Sequence, residues 1–390
     1  MNRVPEDAQV WAEIDLKAIA HNLRELRRVT NPRARMMAVV KADGYGHGAR
    51  EVARQALDHG AELLGVARIE EALSLRRAGI SAPVLIFGFT PAGLLHQLIH
   101  LDLTQTVYSL ESARAVSEPG AAIGKRVKVH VKVDTGMGRL GMLCCSGRTN
   151  ALPGQSPQGV LEEIESILRL PGLEVEGLYT HFAGADLSDK SYAKEQLERF
   201  LSLCEGLRRN GIEFRFRHAA NSAALIDMPE SHLDLVRPGI SIYGLDPSDH
   251  VNRERVDLKP AMALKARIIQ LKDVSAGFKV SYGMTYETRE PTRIATIAIG
   301  YADGLRRALS SRGHALAGGR RVPIVGRVCM DLTMLDVGGS SGLHVGDEVV
   351  LFGRQGDESI SVDEVASELG TIHYEVVTTV SGRVPRVYLA

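Results

Sequence analysis

From Trp11 to about Gly244, short β-rich apolar runs alternate with stretches whose leucines and alanines recur every three or four residues. The runs Met36–Lys41, Leu63–Ala67, Val84–Gly88, Gln105–Tyr108, Val127–Val133, Val175–Thr180, Phe214–His218 and Leu233–Val236 have the length and composition of strands. Between most of them lie helical patterns such as Ile69–Ala78, Pro91–His100 and Tyr192–Asn210, and Asp15–Val29 precedes the first as an entry helix. Eight strands separated by helices predict an α/β fold, a (β/α)8 TIM barrel. The link between the fifth and sixth strands is longer, and its Gly-, Ser- and Pro-rich Cys144–Gln158 stretch predicts a surface excursion.

After Tyr243-Gly244-Leu245-Asp246-Pro247 the texture changes. Ala263–Leu271, Thr292–Ile299, Val322–Val328, Leu332–Val337, Glu348–Phe352 and Val376–Thr379 are strand-like, with Gly- and Asp-rich turns between them, and only Val362–Glu368 has helical spacing. The expected organisation is therefore a barrel over residues 1–246 followed by a C-terminal, mainly-β domain over 247–390.

Composition narrows the class. The 390 residues suit two domains, and 44% apolar with 24% charged residues describes a soluble globular chain. Forty-seven basic residues balance forty-seven acidic ones, so no field draws in nucleic acid or an anionic membrane. The N-terminus lacks the apolar core of a secretory signal, and no stretch is apolar enough to span a bilayer. The four cysteines form no CxxC pair and read as reduced thiols of a cytoplasmic enzyme.

The ends of barrel strands carry the chemistry of such folds. Lys41 ends the first strand and leads into Ala42-Asp43-Gly44-Tyr45-Gly46-His47-Gly48, where a shielded amine becomes a nucleophile toward an aldehyde. Tyr45 adds a hydroxyl for a phosphate or carboxylate. Arg139 follows the fifth strand, His181 closes the sixth, Asn221 and Ser222 follow the seventh, and Arg237 closes the eighth. Five strands thus deliver basic or hydrogen-bonding groups to one mouth, which suits a ligand with a phosphate and a polar ring. Ser222 reads as the N-cap of a short helix, Ser222–Ile226, whose amides, with those around Gly239 and Ile240, offer a phosphate cradle.

Two other patterns lead elsewhere. Gly136-Met137-Gly138-Arg139-Leu140-Gly141 matches GxGxxG after a strand, but no helical pattern opens behind it, so the dinucleotide context is missing. The thirteen histidines include no HExxH and no Cys/His ligand spacing, so no metal site is expected.

Nearly the whole chain resembles the alanine racemase family, whose members pair a (β/α)8 barrel with a β domain and use pyridoxal 5′-phosphate. The resemblance rests on Val40-Lys41-Ala42-Asp43-Gly44-Tyr45-Gly46, Asp134-Thr135-Gly136-Met137-Gly138-Arg139, Asn221-Ser222-Ala223, Arg237-Pro238-Gly239-Ile240, Val280-Ser281-Tyr282-Gly283, Gly300-Tyr301-Ala302-Asp303-Gly304 and Cys329-Met330-Asp331. It implies that Lys41 carries the cofactor and acts as one base, and that Tyr282, reaching across a homodimer interface into a shared site, is the other. It further implies that Arg237 faces the pyridine nitrogen and Arg139 the phenolic oxygen. Tyr45, Ser222, Gly239, Ile240 and Tyr374 would hold the phosphate, and Met330 would offer its backbone N–H to the substrate carboxylate. His181 would link Tyr282 to Arg237, Tyr301 and Tyr374 would narrow the entrance, and Lys132 matches a position often carbamylated in the family. The implied activity is interconversion of L- and D-alanine, supplying D-alanine for peptidoglycan.

Chemistry agrees with that assignment. Inverting a stereocentre needs a proton taken from one face and returned to the other, a task for two bases. A tyrosine ordinarily titrates near ~10, so it needs nearby positive charge to serve, and Arg139 with the Arg237–His181 link offers it. An arginine opposite a pyridine nitrogen also disfavours a second proton there, whereas related barrel decarboxylases use a carboxylate. The alternatives are a serine or broad-specificity racemase and a non-catalytic cofactor-binding barrel. Tyr301, Tyr374 and Met330 favour a small substrate, and Tyr282 has no purpose in a binding protein.

Overall fold

A computed structural model describes residues 7–144, 157–338 and 342–390. They form two compact units, one of Ile19–Gly44 and Ala49–Lys259, the other of residues up to Ala18, Tyr45–Gly48 and Pro260–Ala390. The division is thus not a single cut at 246/247.

The first unit contains the barrel. Its parallel strands are Arg35–Val39, Leu63–Val66, Val84–Ile86, Thr104–Val107, Val127–Asp134, Leu173–Tyr179, Phe216–His218 and Leu235–Val236. They pair in that order, and the eighth returns to the first with Leu235 opposite Arg35 and Val236 opposite Met36. Between the seventh and eighth, Asp234 N–H donates to Arg217 O and Arg237 N–H to Ala220 O, so the barrel is nearly closed. Met37, Leu63, Leu85, Phe216 and Leu235 pack one layer of its interior. Each such side chain contributes about 1.5–3 kcal/mol by leaving water.

Helices cover the strands as the periodicity predicts. Ser191–Arg209 buries Ala193, Leu197, Phe200, Leu203 and Leu207, three and four residues apart. The entry helix runs Leu16–Val29, with Asp15 as its cap, its carboxylate accepting from Ala18 N–H. Behind the GxGxxG match the chain forms another strand, Met142–Leu143, not a helix. Of the expected Cys144–Gln158 excursion, residues 145–156 lie outside the described ones, and helix Pro157–Leu168 follows.

The second unit is mostly β. Its long strand Met262–Val274 pairs with Val10–Asp15, Glu348–Gln355 and Thr292–Ile297. Val10–Asp15, inside the span that alternates like a barrel, therefore belongs to this sheet, where it also pairs with Arg386–Leu389. The predicted strand Val376–Thr379 is helical instead, within His373–Thr378. Its valines bury one helical face, and Thr378 Oγ donates to Tyr374 O one turn back, so packing overrides β propensity. The predicted run Val322–Val328 stays extended only to Pro323 in Arg320–Pro323, and Gly326 then turns the chain at φ 70°. No helix among the described residues is long and apolar enough to cross a membrane.

Candidate active site

In the barrel unit, Lys41 sits just past the first strand, and the backbone behind it turns left-handed. Ala42, Asp43, Gly44, Tyr45 and Gly46 have φ of 53, 51, 62, 51 and 83°. A non-glycine residue in that region costs about 1–2 kcal/mol. The turn is held by hydrogen bonds, Gly44 N–H to Val40 O and Ala49 N–H to the Asp43 carboxylate. Burial, then the Arg139 charge, lowers the basicity of the Lys41 amine, while Glu71 partly opposes them.

The fifth strand, Val-Lys-Val-His-Val-Lys-Val-Asp, places His130, Lys132 and Asp134 on one side by its period of two. Burial, then Arg237 and Arg139, brings Lys132 down to about 7. Its Nζ lies 4.8 Å from the Tyr179 ring centre. At the strand's end, the Asp134 carboxylate accepts from Gly136, Met137 and Arg139 N–H at 2.9, 2.7 and 3.0 Å. Burial works against its ionisation, but these amides outweigh it and hold Asp134 below the usual carboxylate range. The loop that presents Arg139 is therefore wrapped around one anion.

Arg237 is 4% exposed. Its Nη2 donates to Thr180 O, Ala219 O and, at 3.2 Å, to His181 Nδ1, while Nη1 donates to His218 Nδ1 at 2.8 Å. Both Nη atoms are thus tied to protein, and Nε makes no hydrogen bond to a described residue. Burial first lowers Arg237 to about 10, so it stays charged at neutral pH.

Because His218 accepts at Nδ1, its proton is on Nε2, which donates to His130 Nδ1 at 2.9 Å. Burial, then Arg237, lowers His218 and His181 well below the usual histidine value, and His130 falls to about 3. Tyr179 stacks on His218 at 4.6 Å and 4°. Gly177 is required here, since a Cβ would come within 2.6 Å of His130 Nδ1. His130 and His218 were absent from the candidates read in the sequence, although the alternation of polar residues with valine along the fifth strand marked His130.

Asn221, not Ser222, is the helix cap: its Oδ1 accepts from Ala224 N–H at 3.0 Å. Ser222 is the first residue of helix Ser222–Asp227, and its Oγ accepts from Gly239 N–H at 2.8 Å. This brings Ser222 together with Gly239 and Ile240, as expected for a cradle, but the Gly239 amide is committed to Ser222.

The second unit holds the remaining candidates. Tyr45 is buried, which raises its phenol above the usual value, and its ring centre lies 6.4 Å from that of Tyr374. Tyr374 stacks on His373 at 4.8 Å. Tyr282 opens the short turn Tyr282–Met284 and is 74% exposed. Its neighbour Ser281 has φ 65°, and the Ser281 hydroxyl donates to Arg327 O and lies 3.5 Å from Cys329 Sγ. The carbonyls of Cys329 and Met330 accept from Tyr301 and Ala302 N–H. At Gly300 a Cβ would lie 2.3 Å from Met330 O, so only glycine allows this approach. Arg383 bonds Asp331 at 2.9 Å and pairs with buried Asp303, anchoring the same segment. The Tyr282 and Met330 segments are thus neighbours, both exposed.

The chain matches two family models in sequence order: "Alanine racemase, N-terminal domain" over residues 14–247 and "Alanine racemase, C-terminal domain" over 261–388. It is 56% identical to the alanine racemase of Desulfosudis oleivorans over 384 residues, covering 98% of this chain and 97% of that protein. Identity to the alanine racemase of Methanococcus maripaludis is 50%, over 97% of this chain and 98% of that one. Among solved structures, alanine racemase of Clostridium difficile 630 superposes with a TM-score of 0.91 at 38% identity, covering 99% and 97% of the two chains. Alanine racemase of Bacillus anthracis, solved with bound L-Ala-P, gives 0.89 at 39%, covering 99% and 96%.

Proposed function

The chain belongs to the alanine racemase family, and from that premise we propose that it interconverts L- and D-alanine with pyridoxal 5′-phosphate, as an isomerase of class EC 5.1.1.1. The observation that carries the reading is the set Lys41, Lys132, Arg139 and Arg237, basic groups of one barrel in which burial and the Arg139 charge lower the proton affinity of the two lysines and of Arg237. Such a set calls for an anionic ligand, and an amine of weakened basicity suits a covalent bond to an aldehyde.

The donors fit that cofactor. Arg237 has an uncommitted Nε for a ring nitrogen. The Ser222 hydroxyl and the Ile240 amide beside it are suited to a phosphate, as are the phenol groups of Tyr45 and Tyr374. When bound, the cofactor supplies an electron sink for the charge left at the substrate α-carbon.

Lys41 takes the α-proton on one face as a neutral amine. Tyr282 of the partner subunit serves the opposite face, with His181 relaying between it and Arg237. Arg139 would face the cofactor's phenolic oxygen and also serve the substrate carboxylate, to which Met330 would offer its backbone N–H. Arg237, still charged, would hold the cofactor's ring nitrogen and would disfavour a proton there, which would limit transamination. Lys132, neutral above about pH 7, can add CO2: the N–C bond forms, a proton leaves to water, and the carbamate charge offsets Arg139. The exposed Tyr282, Met284, Met330 and Ile372 support a homodimer in which a second copy covers them. Tyr301 and Tyr374 set the small pocket. We place the enzyme in the cytoplasm, supplying D-alanine for peptidoglycan.

The test is a racemisation assay on L-alanine and L-serine with added cofactor, followed by borohydride reduction and peptide mass analysis. D-alanine should accumulate, with serine turned over far more slowly, and the cofactor mass should sit on the peptide containing Lys41. A label on another lysine, or no racemisation by the loaded protein, defeats the reading.

A further inference from the structure

The first peptide of the left-handed turn behind Lys41 is tied down by a side chain from outside the turn. Glu71 Oε1 accepts from Ala42 N–H at 2.6 Å, the peptide N–H that directly follows Lys41. Its Oε2 accepts from Ala67 and Arg68 N–H at 2.7 and 3.0 Å. Ala67 follows the second barrel strand, and Glu71 lies in the first turn of helix Ile69–Arg77, where a negative charge is favoured. One carboxylate therefore stitches three backbone donors from two loops, with an oxygen for each loop.

From this we propose that Glu71 is the positioning residue of Lys41, its carboxylate holding the Ala42 peptide so that the strained turn aims the lysine across the barrel mouth. The proposal rests on the reading of Lys41 as cofactor carrier and base. Three features support it. Ala42 and Asp43 adopt a conformation that non-glycine residues leave unless something retains them. The bond to Glu71 is charge-assisted and short. The same carboxylate is the charge that opposes Arg139 at Lys41, so the two side chains share one electrostatic environment. Without Glu71 the Ala42 amide loses its acceptor, and the peptide plane carrying the lysine is free to rotate toward ordinary φ. Asp43 is unsuited to replace it, because its carboxylate is committed to Ala49 N–H on the far side of the turn.

The test compares Glu71→Ala and Glu71→Gln with the parent and with Lys41→Ala. The first readout is hydrogen exchange of the Ala42 amide in cofactor-depleted protein, which is independent of catalysis. We expect it to quicken at least about tenfold in Glu71→Ala, as a lost charge-assisted hydrogen bond implies. Glu71→Gln keeps one carbonyl oxygen, cannot serve both loops, and should fall between. In loaded enzyme, kcat should drop roughly thirtyfold to a hundredfold with KM for alanine nearly unchanged, the signature of a misaimed group. The α-deuterium isotope effect should rise for only one enantiomer, the one whose proton Lys41 removes.

Unchanged Ala42 exchange in both variants overturns the proposal, as does an equal rise for both enantiomers, which would mark a general loss of structure. If Glu71→Ala does not fold, Glu71→Gln alone decides. If instead Lys41→Ala keeps the borohydride-reducible cofactor and full activity, the role of Lys41 falls while the exchange result on the Glu71 tether still stands.

Discussion

Lys41, Lys132, Arg139 and Arg237 sit in the barrel unit with their charges acting on one another and Arg237 fully tied by hydrogen bonds at both Nη atoms, whereas Tyr282, Met284 and Met330 in the second unit stand 74%, 63% and 53% exposed. The difference follows from what each group must do. A lysine must lose its proton to react, and burial beside a cation weakens its hold on that proton. An arginine must keep its charge and its aim, which four bonds to Thr180, Ala219, His181 and His218 secure for Arg237. The Tyr282 segment shows no comparable enclosure within its own unit, as expected of a group completed by a second copy.

The largest effect should come from the buried side of this contrast. Lys41→Ala should lower racemisation by roughly 10^4-fold and abolish the borohydride-trapped cofactor peptide, measured on protein with normal melting behaviour. Tyr282→Phe should cost about 10^2–10^4-fold while leaving cofactor attachment intact. Mixed subunits of the two variants sharpen the comparison. Each heterodimer should regain one complete site and up to about half the parental rate, since distant sites behave independently. Verified heterodimers as inactive as their parents would end the shared-site reading.

Lys132 tests the electrostatics without catalysis. Its folded-state pKa of about 7 lies below the ordinary 10.5, so between those values the unfolded chain binds more protons than the folded one. Stability therefore rises with pH across that window, and the gain is lost as pH falls to 7, by on the order of 5 kcal/mol. In CO2-free buffer Lys132→Met should flatten the slope seen in urea titrations from pH 7 to 10. With 13C-labelled CO2 the parent should show a carbamate resonance that Lys132→Met lacks.

Arg237→Glu should slow racemisation and raise pyruvate formed per racemisation event roughly tenfold, about 1.4 kcal/mol in partitioning. An unchanged ratio would separate Arg237 from control of the ring nitrogen. The smallest effect belongs to the corrected cap: Asn221→Ala should cost about 1 kcal/mol in stability, whereas Ser222→Ala should weaken cofactor retention with the cap intact. Equal melting losses in both would contradict the assignment.

Much of this site could be read from the chain because strand ends are marked locally. Lys41, Arg139, His181 and Arg237 each interrupt or close an apolar run, and the barrel rule converts that position into a location. His218 and Glu71 carry no such mark. His218 reads as one more residue of a strand until Arg237 is seen to donate to it, and Glu71 reads as an ordinary acid in a helix's first turn. The strand Val10–Asp15 has no counterpart among the predicted runs, and Val376–Thr379 is a helix for a related reason: a short β-branched or alternating run does not state its partner, and packing in the second unit decides it.

The sequence by itself determined the alternation of strands and helices, the switch to β texture after Pro247, and the basic groups at strand ends, because these depend on periodicity and nearest neighbours. Only the tertiary structure decided which carboxylate restrains the Lys41 turn, which histidines back Arg237, that Asn221 rather than Ser222 caps its helix, and how far Lys132 falls in basicity. Those outcomes depend on groups distant in the chain meeting within hydrogen-bonding range where water is excluded, and no local pattern encodes that distance.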